Sequence, residues 1–190
     1  GADYTRINAS TNGYITFGTE AATSYSNVGI GGSGAPNQFI APFWDDLEQN
    51  AAGNVRTGVV GTSPSRIFVV EVGPGHRLGS TGTDMIYQVQ LYEAGGRFDF
   101  MVSGALAGSS VSGTVGYEGP AGVPSYGTLA CSTAGNCTAT DLSAMIGNVY
   151  QNFVAAAPEL TGSFGAGWVR GVFPGQQAIG PVVIRNLGRD

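Results

Sequence analysis

Short apolar runs recur along the chain, and glycine, proline and asparagine separate them. Residues 87–91 (Tyr-Gln-Val-Gln-Leu) alternate strictly between apolar and polar side chains, and residues 98–102 also divide into two faces. A period of two is typical of a strand with one buried face, because successive side chains point to opposite sides. Strands are predicted at residues 4–9, 14–17, 39–44, 54–60, 66–72, 85–93, 97–103 and 112–118. Their regular spacing with short turns predicts an all-β fold, an antiparallel β-sandwich.

Three segments carry more specific local signals. Asn12-Gly13 next to an apolar run predicts a tight hairpin in which both central turn residues take a positive φ. The continuously apolar run at residues 67–70 predicts a central strand that is covered on both faces. The glycine-rich residues 29–34 have no lysine or helix signal after them, so we interpret them as a mobile connection rather than a phosphate loop.

One segment has helical rather than strand spacing. Leu142, Met145, Ile146, Val149 and Phe153 would share one helix face, and Thr140 or Asp141 could cap its first turn. We therefore predict one short helix, and we interpret residues 140–157 as a helical connector. The connector would join a β-sandwich at residues 1–139 to a C-terminal segment at residues 158–190. Within that segment a C-terminal extension strand is predicted to begin at Pro181.

The composition excludes several classes of function. Only 11% of the residues are charged, against about 25% in ordinary globular domains. All eight basic residues are arginine, which excludes lysine-dependent chemistry such as Schiff-base catalysis. The net charge of −5 without a basic cluster argues against nucleic acid as a partner. Because no apolar run approaches about 20 residues, membrane insertion is not expected.

The two cysteines, Cys131 and Cys137, enclose a small polar segment that is typical of a turn. We predict that they form a disulfide, which implies an oxidising compartment. Two unrelated buried thiols remain the alternative. A zinc site would need more ligands than these cysteines and His76 can supply. Glycosylation sequons occur at Asn8 and Asn136, and the sequence does not show whether they are used.

The oxygen-rich cluster in the chain follows the strand that ends at Trp44. Asp45 and Asp46, with Glu48 and Asn50 close behind, could bind calcium if the chain turns there. The alternative is that these carboxylates are solvated or accept backbone N–H bonds in a turn. Trp44 itself could belong to a sugar-stacking platform, or it could be a core residue.

His76 is the single histidine, so it is the candidate base of a Ser-His-Asp triad. It lies in Gly73-Pro74-Gly75-His76-Arg77, which predicts a flexible loop. No serine stands in a Gly-X-Ser-X-Gly elbow. We therefore expect an exposed loop histidine and no catalytic activity.

An ordered series of segments resembles a nidogen-like extracellular β-domain, in the version found in secreted and surface proteins of bacteria. The resemblance covers roughly residues 4–122 and depends on the segments at 10–18, 40–47, 66–71, 88–93 and 114–118. It implies a non-enzymatic module with no catalytic residues to carry over. Residues 157–190 resemble the opening half of a cell-adhesion-related Ig-like repeat.

The resemblance also implies that strands are missing. The family usually has one or two strands before the segment that matches residues 4–10, and the strand at 181–186 has no visible partner. We therefore expect a strand from outside to complete at least one sheet. The predicted assembly strand contains Val182, Val183 and Ile184, and the partners are other copies or neighbouring domains of a longer chain. The alternative is that residues 181–186 fold back into their own domain and give a self-contained monomer.

The resulting prediction is a structural or adhesive module of a secreted or cell-surface protein. Strand complementation between copies would let such a module build a filament. The alternative is an accessory module that binds a glycan or calcium through Trp44, Asp45 and Asp46.

Overall fold

Two five-stranded antiparallel sheets face each other in the computed structural model of the chain. It describes residues 4–31, 34–80, 84–94, 96–104 and 113–120, and the backbone of 126–128 and 149–153. The strands of this part are β1 Ile7–Ser10, β2 Tyr14–Phe17, β3 Phe39–Trp44, β4 Leu47–Val60, β5 Ile67–Arg77, β6 Met85–Tyr92, β7 Arg97–Gly104, β8 Thr114–Glu118, β9 Tyr126–Thr128 and β10 Val149–Phe153. The predicted all-β sandwich is confirmed.

Along the described strands the chain changes sheet three times, after β3, after β7 and after β9. The first sheet has the order β1-β2-β3-β8-β9, and the second has the order β10-β7-β6-β5-β4. Strands β4 to β7 form a meander of consecutive hairpins, whereas β8 returns to pair with β3. Each sheet therefore ends in strands that have a neighbour on one side: β1 and β9 in the first, β10 and β4 in the second.

The main core lies between the sheets and follows the period of two. Strand β5 contributes Val70 and Val72, and β6 contributes Val89, all fully buried. Ile15 and Ile40 meet them from the first sheet. The predicted burial of residues 67–70 on both faces holds at Val69 and Val70, although β5 is the second strand from the edge rather than the central one.

A second cluster of aromatic residues lies on the outer face of the first sheet. Tyr14, Phe39 and Trp44 pack with ring centroids 4.6 to 6.5 Å apart, and the irregular segment 18–38 runs across them. Within that segment Ile30 packs against the cluster, and the N–H of Gly31 donates to Glu118 at 2.6 Å. Ile30 and Gly31 are therefore held by an apolar contact and by a charged acceptor, and the mobility of residues 29–34 stays a prediction.

The Asn12-Gly13 hairpin forms, but with a different turn. Ser10 pairs with Tyr14, which leaves a three-residue loop, and Gly13 takes a φ of 88° while Asn12 does not have a positive φ. The loop folds against β3, since the N–H of Phe43 donates to the Gly13 carbonyl at 3.2 Å. A Cβ at Gly13 would lie 1.6 Å from the Phe43 carbonyl oxygen, so this contact requires glycine.

The predicted helix is wrong at its C-terminal end. Val149–Phe153 forms β10, which pairs with β7 in the register Val149↔Met101 to Phe153↔Arg97. Valine, tyrosine and phenylalanine favour strands, and the free edge of β7 supplied a partner that helical spacing alone could not reveal. Residues 140–148, and the predicted units and strand beyond residue 153, lie outside the described residues. Among the described residues no helix is long and apolar enough to cross a membrane.

Candidate functional site

The structure brings the predicted acidic cluster next to the predicted histidine. The chain bends at Asp45 and Asp46 between β3 and β4, and β4 then pairs with the end of β5 so that Glu48 lies opposite His76. His76 therefore lies in a strand, and the prediction of a flexible loop at residues 73–77 is wrong. Shifts in strand register before Asn54 and Gly75 accommodate the glycine- and proline-rich sequence without ending the strand.

Trp44 cannot offer an exposed surface for a sugar ring. Its side chain is fully buried in the outer aromatic cluster under segment 18–38. Its indole Nε1 has no hydrogen-bond partner in the described part of the chain. The glycan-platform interpretation of Trp44 is therefore wrong, and the core alternative is confirmed.

Asp45 is a buried carboxylate with a counter-ion of its own. Oδ1 accepts the N–H of Asp46 at 2.9 Å, and Oδ2 lies 3.1 Å from Nε of Arg77 as an ion pair rather than an aligned hydrogen bond. Burial raises the pKa of Asp45, while the Asp46 N–H and the Arg77 cation oppose that rise. Because Arg77 already neutralises Asp45, a cation at this position would have to displace it.

The calcium hypothesis stays a prediction. Asp46 lies in the bend beside Asp45, and its carbonyl accepts the N–H of Leu78 at 2.8 Å. Among the described residues, no group of three or more histidine, cysteine, aspartate or glutamate side chains is placed to hold a metal ion.

His76 lies between two carboxylates rather than beside a nucleophile. Its Nε2 is 3.2 Å from Glu48, and its Nδ1 is 3.3 Å from Asp84. Asp84 also accepts from the side-chain amide of Asn50 at 2.5 Å. These contacts join β4, β5 and the start of β6, so the histidine ties strand ends together.

Asn8 of the first sequon is also engaged in structure. Its side-chain nitrogen donates to the Glu20 carbonyl at 2.7 Å, and it lies 3.3 Å from Thr16 Oγ1. An oligosaccharide attached to that nitrogen would replace one of its two hydrogens, so the two hydrogen bonds could not both be kept. Asn136, Cys131, Cys137, Val182, Val183 and Ile184 lie outside the described residues, so the disulfide and the assembly strand stay predictions.

The feature that the sequence did not predict is an open groove between the sheets. Its volume is about 430 Å³, and its apolar wall consists of Tyr4, Ile7, Phe17, Val59, Phe68 and Leu91. We call this surface the edge groove. It lies at the side of the sandwich where β1 and β4, the edge strands of the two sheets, both contribute to the wall.

The edge groove continues the main core into solvent. Ile7, Phe17, Phe68 and Leu91 pack against the core cluster while remaining only partly buried. They come from four strands of two sheets, β1, β2, β5 and β6. The period of two in residues 87–91 places Leu91 on the apolar face, but it carries no information about whether the opposite sheet covers that face fully.

A charged pair lies at the rim of the edge groove. The Arg66 guanidinium donates to both Glu93 oxygens, at 2.5 and 2.9 Å, and Glu93 also accepts the backbone N–H of Arg66 at 3.1 Å. The hydrogen bond from Arg66 holds the pKa of Glu93 at about 2, below its usual value of 4.5. In the β5–β6 hairpin Ile67 pairs with Tyr92, so Arg66 and Glu93 occupy the next pair of positions. The Arg66–Glu93 contact could therefore be predicted from the sequence only if this register were known.

A polar network occupies the outer face of the second sheet. Arg97 donates to both oxygens of Asp99 at 2.9 and 2.6 Å, and its guanidinium lies 4.3 Å from the centre of the Tyr92 ring. Tyr92 donates to Asp99 at 2.8 Å. Burial, followed by the Asp99 charge, raises the pKa of Tyr92 to about 12. The arrangement is a hydrogen-bonded brace across β6 and β7.

The fold and these sites define an all-β sandwich whose sheet edges meet at an open apolar groove. A family model described as NIDO related matches residues 1–157, and the chain belongs to this nidogen-related family. The membership suggests an extracellular context. No curated protein and no solved structure matches the chain.

Proposed function

We propose that the chain is a non-enzymatic structural or adhesive module of a secreted or cell-surface protein, which assembles by strand complementation. The observation that supports this most directly is the pair of sheet edges, β1 and β4, on one side of the sandwich, which have no outer neighbour among the described strands and have the apolar edge groove between them. A sheet edge exposes backbone N–H and C=O groups that can pair with a further strand. Such pairing is a route to assembly that needs no catalytic group.

The contacts of the candidate chemical groups support the same proposal. Trp44 is a core residue, Asp45 pairs with Arg77, and His76 lies between Glu48 and Asp84. Each of these side chains has a structural role in joining strands. The nidogen-related membership also favours an extracellular module, and the resemblance of residues 4–122 to bacterial surface proteins favours a bacterial one.

The test is the assembly state of the full chain compared with a chain that lacks residues 174–190. Sedimentation velocity over a range of protein concentrations should show assemblies for the full chain and smaller species after the deletion. A stable, soluble monomer with an unchanged melting temperature after the deletion, from a full chain that is itself monomeric, would contradict the proposal.

Two further measurements separate the rival classes of function. Millimolar calcium added to chelated protein raises the melting temperature if the native state binds calcium, because ligands stabilise the state that they bind. A hydrolase or transferase activity that disappears in His76→Ala or Asp45→Asn would contradict a non-enzymatic role. We expect neither effect.

A further inference from the structure

The backbone edge beside the edge groove lacks the usual protection against pairing. Strand β1 has the sequence Ile7-Asn8-Ala9-Ser10, which contains no charge and no proline, and its outer edge has no neighbouring strand in the described part. Natural sheets commonly protect such edges with lysine, proline, bulges or a covering segment. The β1 edge is therefore suited to accept an additional strand.

Exposed apolar side chains lie at this edge. Seven large apolar side chains of the described residues are exposed, and Tyr4, Val55 and Val59 are three of them. Tyr4 and Val59 line the edge groove, and Val55 lies on the same face of β4 as Val59. Exposed apolar surface beside an unpaired strand edge favours contact with an added strand.

We propose that the edge groove is the acceptor for residues 181–186 of a second copy of this chain. The inference rests on the proposed assembly function and assigns its binding site. The segment Pro181-Val182-Val183-Ile184-Arg185-Asn186 has three successive β-branched residues, which favour a strand. When it pairs with β1, Val182 and Ile184 share one face and enter the edge groove, while Val183 points away.

The chain is long enough to deliver this segment to a neighbour. Residues 154–180, which are 27 residues, separate the end of β10 from Pro181. At up to about 3.3–3.6 Å per residue they span as much as roughly 90 Å. β10 lies at the opposite edge of the second sheet from β4, so the donor leaves from one side of the sandwich and the acceptor opens on the other.

This arrangement has a definite symmetry. Donor and acceptor are different surfaces, so the contact is heterologous, and repetition without ring closure extends a chain of copies. A copy with a defective donor still accepts a strand, and a copy with a defective acceptor still donates one. The two defects therefore complement each other in a mixture, whereas copies that insert their own strand would not interact.

The experiment uses full-length chains and sedimentation velocity. The acceptor variant is Val59→Asp, the donor variant is Ile184→Asp, and the matched control is Leu78→Asp, since Leu78 is 55% exposed compared with 60% for Val59 and does not line the groove. A charge in the apolar contact should weaken association roughly tenfold or more. If the melting temperature shows that Val59→Asp does not fold, Thr5→Glu at the same groove replaces it.

The expected result is that the unmodified chain and Leu78→Asp form concentration-dependent assemblies and that each of the other variants is monomeric. An equimolar mixture of Val59→Asp and Ile184→Asp should form one-to-one dimers and nothing larger. Assembly of Val59→Asp or Ile184→Asp as strong as that of Leu78→Asp would overturn the assigned site and leave the proposed assembly intact. A monomeric unmodified chain at every concentration would overturn both. Monomeric variants that fail to form dimers when mixed would overturn the donor–acceptor pairing.

Discussion

The contact between the first hairpin and β3 leads to a quantitative prediction about Gly13. Replacing Gly13 by alanine places a Cβ 1.6 Å from the Phe43 carbonyl oxygen at a φ of 88°. The positive φ alone costs about 1–2 kcal/mol for a residue with a side chain. The overlap additionally forces the loop away from β3, because the atom that it meets is backbone and cannot rotate aside.

Moving the loop breaks two backbone hydrogen bonds that attach it to β3 and the following bend. The N–H of Phe43 donates to the Gly13 carbonyl at 3.2 Å, and the N–H of Asp45 donates to the Asn12 carbonyl at 3.3 Å. Each bond contributes about 0.5–1.5 kcal/mol. The total loss for Gly13→Ala is therefore about 2–5 kcal/mol, a large part of the roughly 5–15 kcal/mol that stabilises an ordinary domain.

Gly79→Ala is the matched control for this prediction. Gly79 has a φ of 74°, and no heavy atom of the described residues lies within 4 Å of its Cβ position. Only the conformational cost of about 1–2 kcal/mol applies there. Urea unfolding, with an unchanged dependence on denaturant, should show Gly13→Ala to be less stable than Gly79→Ala by about 1–3 kcal/mol. Equal stabilities would refute the close approach of the hairpin to β3.

Four further predictions follow from the charged and polar groups. Because the pKa of Glu93 is lowered from 4.5 to about 2, its contribution to stability is present above pH 4.5 and lost as the pH falls toward 2; Arg66→Gln should reduce that acid dependence in melting curves. Because the pKa of Tyr92 is raised from 10.0 to about 12, the neutral Tyr92 hydroxyl stabilises the folded state below pH 10, and that stabilisation is lost as the pH rises toward 12. Tyr92→Phe should remove the tyrosinate absorbance step near pH 12. Mass spectrometry of the unreduced protein should find Cys131 bonded to Cys137, and reduction should cost only about 2 kcal/mol for so short a loop; two free thiols would contradict this. Produced in a glycosylating host, the protein should carry no glycan at Asn8, since its side-chain nitrogen is bonded to Glu20 and Thr16; a glycopeptide containing Asn8 would contradict this.

The strands could be predicted where a short apolar or aromatic run is bounded by clear turn residues. The limits of β2 and β3 agree with the prediction, and β6 differs at one end by a single residue. The prediction ended β5 at residue 72, five residues before Arg77, because Gly73 and Pro74 are local signals for a loop. Pairing with β4 outweighed those signals, and no local pattern shows which strand will become a neighbour.

The candidate site was harder to predict than the strands. Asp45 and His76 were identified as chemically notable, but their partners Arg77, Glu48 and Asp84 depend on how β5 pairs with β4 and with β6. Trp44 has the same sequence signal whether it binds a sugar or lies in a core, and only the path of residues 18–38 distinguishes the two. The edge groove depends on how two sheets are offset, which alternation along each strand does not encode.

The insertion of β8 beside β3 determines the order in which the molecule can be completed. Strand β3 ends at Trp44, whereas its partner β8 begins at Thr114, so about seventy residues must be made before the first sheet can extend past β3. A larger sequence separation, 86 residues, joins segment 18–38 to β8 through the hydrogen bond that Thr114 donates to the Val28 carbonyl. Native contacts of such high contact order form slowly. A nascent chain therefore exposes the Phe39–Trp44 strand until about seventy further residues have been made, which favours a route in which the first sheet forms only after β8 has emerged.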